Sequence, residues 1–206
     1  GAPDRMPSEE TIETLCETAK RSDVHAYQQY TGIPELKKAY GEWYKRFYNV
    51  DLTFSEILPL IGSKEGILHI SMAFLNIGDG VLIPNPGYPT YRSVSNLLRA
   101  KVIEYDLVEG NNWYPDFDAL DNMDLSGVKL MWVNYPNMPT GANASYELFE
   151  RLVAFGKKHD IVICHDNPYS FILNDNPMSI MSVPGAKDIS IELNSLSKSH
   201  NMSGWR

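Results

Sequence analysis

Apolar positions recur along the chain in two rhythms: short unbroken runs, and longer stretches spaced for one face of a helix. A polar, helix-like run from Pro7 to Ser22 leads into His25–Thr31, rich in tyrosine and glutamine. A second helix is predicted to start near Pro34, whose fixed φ suits a first turn, and to reach about Tyr48. Glu56–Ile61 is a short apolar run, counted here with the strands, and a helix follows from Ser63 to about Asn76. The alternation then continues with a strand at Gly80–Ile83, a helix at Tyr88–Leu98, and strands at Lys101–Asp106 and Val128–Asn134. A helix at Tyr146–His159 and strands at Ile161–His165 and Ile189–Leu193 complete the pattern. Short apolar strands alternating with amphipathic helices predict an α/β fold, three layers with a mostly parallel, buried central sheet.

The unusual residues cluster at particular places in that pattern. Ser63 and Lys64, Tyr88, Asn137, Asp166 and Tyr169, and Ser195–Lys198 all come just after a predicted strand. The carboxyl edge of an open α/β sheet is where such folds bind ligands, so these positions predict one common site.

Composition narrows the reading. The 206 residues are 43% hydrophobic and 21% charged, an ordinary globular balance, with no internal repeat. The net charge of −8 is spread along the chain, and the absence of a basic stripe argues against nucleic acid as a partner. Cys16 and Cys164 stand far apart in no metal-ligand spacing, so no metal is expected and a reduced, cytoplasmic setting fits best. No stretch is apolar for long enough to span a membrane, and GAPDRMPSEE lacks the features of a signal peptide.

Several segments could carry chemistry. Lys198, in a serine-rich stretch after an apolar strand, is placed to act as an amine toward an aldehyde, and Ser195, Ser197 and Arg206 suit a phosphate dianion. Taken singly, that lysine reads far more readily as part of a solvated loop. Asp166 follows the apolar run Ile161–Cys164 and His165, where a carboxylate is costly unless it meets a cation such as a protonated pyridine nitrogen. Tyr169, three residues on, is positioned to donate to a phenolic oxygen; for Asp166 itself, capping a turn before Pro168 is the plain alternative, favoured when that acid is taken alone. Asn137 is held in a turn stiffened by Pro136, Pro139 and Gly141. Ser63 and Lys64 open a helix whose first N–H groups can cradle a phosphate or simply be capped. Tyr88, between Pro86 and Pro89, can stack on an aromatic ring or pack in the core.

The order of these motifs resembles that of the class I/II aminotransferases of pyridoxal-5'-phosphate (PLP) fold type I, in the branch of aspartate, aromatic and LL-diaminopimelate aminotransferases. The resemblance covers nearly the whole chain. Gly1-Ala2-Pro3-Asp4 looks like the family's Gly-x-Pro-Asp segment, and Gly32-Ile33-Pro34-Glu35-Leu36 like its Gly-Ile-Pro-Glu-Leu-Arg box, with Lys37 where arginine is common. Asn134-x-Pro136-x-x-Pro139-Thr140-Gly141 and Ser195-x-Ser197-Lys198-x(7)-Arg206 are both present, and the second is highly specific. His165 and Asn167, flanking Asp166, depart from the residues many members carry.

The resemblance implies an enzyme that moves an amino group between an amino acid and a 2-oxo acid, with PLP held as a Schiff base on Lys198. It gives Asp166 the pyridine nitrogen, Tyr169 and Asn137 the ring's O3', Tyr88 the ring face, and Ser63, Lys64, Ser195, Ser197 and Arg206 the phosphate. Tyr27 matches a tyrosine that reaches the neighbouring subunit's site, which implies a homodimer, and Gly1 matches a glycine that meets the substrate carboxylate. The division expected is an N-terminal segment over 1–31 with substrate and dimer contacts and a PLP-binding large domain over 32–206. That domain is expected to be cut short before the part that grips the substrate carboxylate, and therefore inactive alone. Other PLP reactions on the same fold, β-lyase or decarboxylase, and a non-catalytic module remain as alternatives. The segment Asn201–Arg206 leans toward the aspartate or diaminopimelate branch.

Overall fold

The computed structural model describes residues 3–27 and 29–205; Gly1, Ala2, Gln28 and Arg206 lie outside the described residues. Helices α1 (Glu9–Ala19), α2 (Pro34–Tyr48) and α3 (Ser63–Phe74) precede strand β1 (Gly80–Asn85). Then come α4 (Pro89–Leu97), β2 (Lys101–Asp106), α5 (Phe117–Asp121), β3 (Val128–Asn134), α6 (Tyr146–His159), β4 (Val162–Asn167), β5 (Ser190–Asn194) and the one-turn α7 (Leu196–Ser199). The strands form one sheet in the order β2-β1-β3-β4-β5, every pair parallel.

Local sequence explains the elements. The residues of β3, Val-Lys-Leu-Met-Trp-Val-Asn, are buried at every position but the lysine, as expected of a central strand covered on both faces. Helix α6 begins where Ser145 accepts from the Leu148 amide at 3.0 Å. It ends with Lys157, Lys158 and His159 in its last turn, cations that suit the negative end of the helix dipole. Helix α2 starts on Pro34 and stops at Asn49, whose φ of 54° is left-handed.

Successive side chains of each strand enter opposite layers. One face carries Val81, Ile83, Leu130, Trp132, Cys164 and Leu193 and is covered by α3 and α4 through Ile67 and Tyr91. The other carries Leu82, Met131, Val133 and Ile163 and is covered by α5 and α6 through Leu120, Phe149 and Leu152. Gly66 lets α3 settle onto the end of β5, since a Cβ there would lie 2.6 Å from Leu193 Cδ2 and 2.8 Å from Leu60 Cδ1. The fold is therefore the expected α/β arrangement, with a sheet that is wholly parallel among the described residues.

Three local expectations are corrected. Glu56–Ile61 is not a strand: Phe54–Glu56 makes a 3-10 turn, and the residues after it pair with no strand, leaving Leu58 59% and Ile61 64% exposed. An apolar run becomes a strand only where a ladder partner stands beside it, and none does here among the described residues. Asp166 lies inside β4, because pairing with β3 and β5 carries that strand on to Asn167. Lys198 sits in α7 rather than in a loop, since Ser195 caps a helical turn by accepting from the Ser197 amide at 3.1 Å.

Candidate active site

Parallel pairing brings the ends of β1, β3, β4 and β5 to one edge of the sheet, and the predicted site residues follow from those ends. Tyr88 is the residue before α4, Asn137 lies three residues past β3, Asp166 is within the last turn of pleat of β4, and Ser195, Ser197 and Lys198 come directly after β5. Register places Asn134 of β3 opposite Asp166, and Leu193 of β5 on its other side.

Asp166 is 4% exposed. One carboxylate oxygen, Oδ2, accepts from the Tyr91 hydroxyl at 2.8 Å, while Oδ1 has no hydrogen-bond partner among the described residues. Burial pushes its carboxyl up to about 6, against the lowering effects of the Tyr91 hydrogen bond and the nearby His165 charge. A buried acceptor left open in this way is costly in a folded chain unless something outside the chain donates to it.

The surroundings are held by a continuous series of contacts. Tyr91 stacks on Trp132 at 5.1 Å with 7° between planes, so its hydroxyl is aimed by the core. Tyr88 meets Tyr91 edge-on at 5.7 Å, and the Lys64 ammonium stands 5.8 Å from the Tyr88 ring. The Asn134 amide donates to the Asp166 carbonyl at 2.7 Å and accepts from the Met138 amide at 2.7 Å. Asn137 is fixed by its own turn: Nδ2 donates to the Asn134 carbonyl at 3.2 Å, and Oδ1 accepts from the Thr140 hydroxyl at 2.8 Å. That leaves its second Nδ2 hydrogen available. Tyr169 is half-buried, and burial with the negative charge of Asp166 raises its hydroxyl.

At the start of α3, Gly62 supplies no side-chain cap, and the Ser63 hydroxyl is buried without a partner among the described residues. The Ile61 amide just before it is satisfied by Glu65 at 2.6 Å. An uncapped helix start with a free serine oxygen is suited to an anion.

Thus Ser63, Lys64, Tyr88, Asn137, Asp166 and Tyr169 lie along one connected stretch of the edge, with Ser195, Ser197 and Lys198 following the neighbouring strand. Tyr27 is fully exposed. Arg206 and Gly1 lie outside the described residues. Sequence reasoning assigned no role to Tyr91 or Asn134, which touch Asp166 directly. The signal for Tyr91 was its three-residue spacing from Tyr88 at a helix start, which puts both rings on one face.

An all-parallel sheet with a buried acid, a lysine and an uncapped helix start on its carboxyl edge defines a class of fold and site, and the family follows from comparison. The family model for class I and II aminotransferases matches residues 1–206, and the chain belongs to that family, whose members are PLP-dependent. An LL-diaminopimelate aminotransferase of Dehalococcoides mccartyi is 45% identical over 209 residues, covering 100% of this chain and 54% of its own length. The substrate-bound BacF structure from Bacillus subtilis superposes with a TM-score of 0.94 at 38% identity, covering 100% of this chain and 53% of that one. An aminotransferase structure from Staphylococcus aureus gives 0.94 at 32% identity, with coverages of 100% and 55%. The chain therefore spans about half the length of the curated relatives it matches. Among the described residues no helix is long and apolar enough to cross a membrane, and no cluster of residues is suited to hold a metal ion.

Proposed function

We propose that this chain is the PLP-binding part of an aminotransferase that moves an amino group between an amino acid and a 2-oxo acid, with residues 32–206 forming the cofactor-holding domain. The observation that carries the reading is the open Oδ1 of Asp166: a fully enclosed carboxylate oxygen, unpartnered among the described residues, at the sheet edge that also carries Lys198. The donor it lacks is what a protonated pyridine nitrogen offers, and the open Ser63 hydroxyl at an uncapped helix start fits the phosphate at the other end of the same cofactor.

Bound PLP would supply a cationic aromatic ring able to accept the electron pair left when a substrate Cα proton departs. Asp166 would hold the ring nitrogen protonated. Asn137 and Tyr169 would orient the ring through its phenolic oxygen, and Tyr88 would cover its face. Ser63, Lys64, Ser195, Ser197 and Arg206 would hold the phosphate and contribute binding away from the reacting atoms. The Lys198 amine would anchor the cofactor and then take and return the proton at the substrate Cα. Tyr27, wholly exposed here, fits a residue that reaches the site of a second copy in a homodimer.

The relatives' names make LL-diaminopimelate the first amino donor to test, in a protein that carries this chain at its relatives' full length, against a panel of 2-oxo acids with PLP supplied. Transfer dependent on the 2-oxo acid is the expected outcome, and ammonia release without an acceptor would favour a lyase instead. Lys198→Ala should remove both the visible absorbance of lysine-linked PLP and the transfer; survival of that absorbance would take Lys198 out of its role.

A further inference from the structure

Directly behind Asp166 in the chain, on the opposite face of β4, lies a second buried ionisable group that the proposed chemistry does not use. His165 is 0% exposed and Glu192, its register partner on β5, has a side chain 1% exposed. His165 Nε2 lies 2.9 Å from the Tyr135 carbonyl, and Nδ1 lies 2.7 Å from Glu192 Oε2. A carbonyl only accepts, so Nε2 must carry a proton. Glu192 is surrounded by donors: the Tyr44 hydroxyl at 2.6 Å on Oε1, the Ser179 hydroxyl at 2.9 Å from both oxygens, and the Ile180 amide at 3.1 Å on Oε2. Three groups able to donate to two oxygens fit a carboxylate, to which Nδ1 would donate as well, and the cationic ring that this arrangement describes is part of the proposal that follows.

We propose that His165, held as a cation by Glu192, is a positioning residue that keeps Asp166 anionic from the far side of the sheet, so that the acid is ready for a protonated ring. The inference rests on the reading of Asp166 as the acid facing the cofactor's ring. Asp166 needs such help: it is buried, and its carboxylate accepts from the neutral Tyr91 hydroxyl. A positive charge on the adjacent residue favours its ionised form, while Glu192, one strand further out, opposes this more weakly because Coulomb attraction falls with distance. The other groups that bear on Asp166 are neutral hydroxyls, Tyr91 from α4 and Tyr169 from the loop after β4. Those around the His165 pair include Tyr44 and Tyr48 from α2, Ser179, and the ring of Phe149 from α6 at 4.9 Å.

The test is made on PLP-stripped protein, so that it does not depend on catalysis. Imidazole ¹⁵N shifts should show His165 with both ring protons at neutral pH, and one proton released in Glu192→Gln. Carboxyl ¹³C shifts should show the Asp166 titration moving upward in His165→Gln by about one pH unit, equivalent to a tenfold change in proton affinity. Glu192→Gln should move it in the same direction with the histidine still in place, which covers the case in which His165→Gln does not fold. A singly protonated His165 in the unmutated protein, or an Asp166 titration indifferent to Glu192→Gln, overturns the proposal. In parallel, PLP affinity should weaken in the variants relative to the parent as pH is lowered from 8.5 to 6. Failure of every protein to bind PLP at any pH would instead count against the proposed function and leave the two titrations to decide this inference.

Discussion

Two adjacent residues of β4 face opposite layers and have been treated by the fold in opposite ways. His165 and its partner Glu192 are saturated, every ring nitrogen and carboxylate oxygen engaged by a neighbour. Asp166, as deeply buried, has one oxygen bonded and the other open. Saturation on one face and deficiency on the next cannot come from burial alone, since both are enclosed. On the proposed function, the difference separates a polar group that holds the fold from one left open to the cofactor.

The comparison breaks most severely at the deficient side. On the proposed function, Asp166→Asn in a protein that carries this chain at its relatives' full length should keep the shape and some PLP binding but lower kcat for amino transfer about 100- to 1,000-fold, the scale of losing one preorganised electrostatic contact. Steady-state rates at saturating PLP measure this, and a near-parental kcat would remove Asp166 from the chemistry.

The saturated side should fail in stability. Glu192→Ala leaves the buried His165 ring, the Tyr44 and Ser179 hydroxyls and the Ile180 amide without their partner, and on the proposed charged pair the removal of one member costs about 3–5 kcal/mol. Urea denaturation of the PLP-free protein would read it as a drop in midpoint. A loss no larger than that of an exposed ion pair would mean that the network is not the fold's anchor at this edge.

A smaller, pH-dependent effect distinguishes the two sides without removing either. The Asp166 carboxyl is raised from 3.8 to about 6 in the folded chain, so its protonated form stabilises the PLP-free fold fully below about 4 and that contribution disappears as pH rises through about 6. Asp166→Asn imitates the protonated form at every pH. Relative to the parent, its stability should therefore grow between pH 4 and about 7, reaching roughly 3 kcal/mol. Added PLP should narrow the gap, because a cationic ring nitrogen compensates the carboxylate of the parent alone. Denaturation curves that stay parallel across this range would show that Asp166 carries no burial penalty.

Most of the sheet was legible because strands buried on both faces spell themselves as apolar runs, and the bounds of β2, β3 and α6 follow from sequence alone. The run Glu56–Ile61 misled for the same reason: apolar character shows that a segment avoids water but not whether a ladder partner stands beside it. The candidate site was legible as a set of residue types in order. Its polarity was not. Nothing in the order of Asp166, Tyr91, His165 and Glu192 along the chain says which oxygen stays open, because that depends on the β4–β5 register and on a ring three helical positions past Tyr88. The mark of the second network was a histidine among apolar strand residues, which alone is more often a satisfied core residue than a working one.

The mildest perturbation adjusts the deficient side by a single atom. Tyr91→Phe retains the ring that stacks on Trp132 at 5.1 Å, so packing in the α3–α4 layer is preserved. It removes the one hydroxyl that donates to Asp166 Oδ2. The carboxylate would then be enclosed with neither oxygen bonded by a described side chain, and since that hydrogen bond lowers the acid's proton affinity, the titration should move above about 6. Losing a hydrogen bond to a charged group costs about 1.5–3 kcal/mol, part of which the acid avoids by taking up a proton. PLP affinity at neutral pH should accordingly fall by about tenfold, the equivalent of 1.4 kcal/mol, while at pH 8.5 and above the loss should shrink. Equilibrium titration with PLP at both pH values reads the two numbers. An equal loss at both would mean that Tyr91 only aims the carboxylate, and that its ionisation is governed from the other face of the strand.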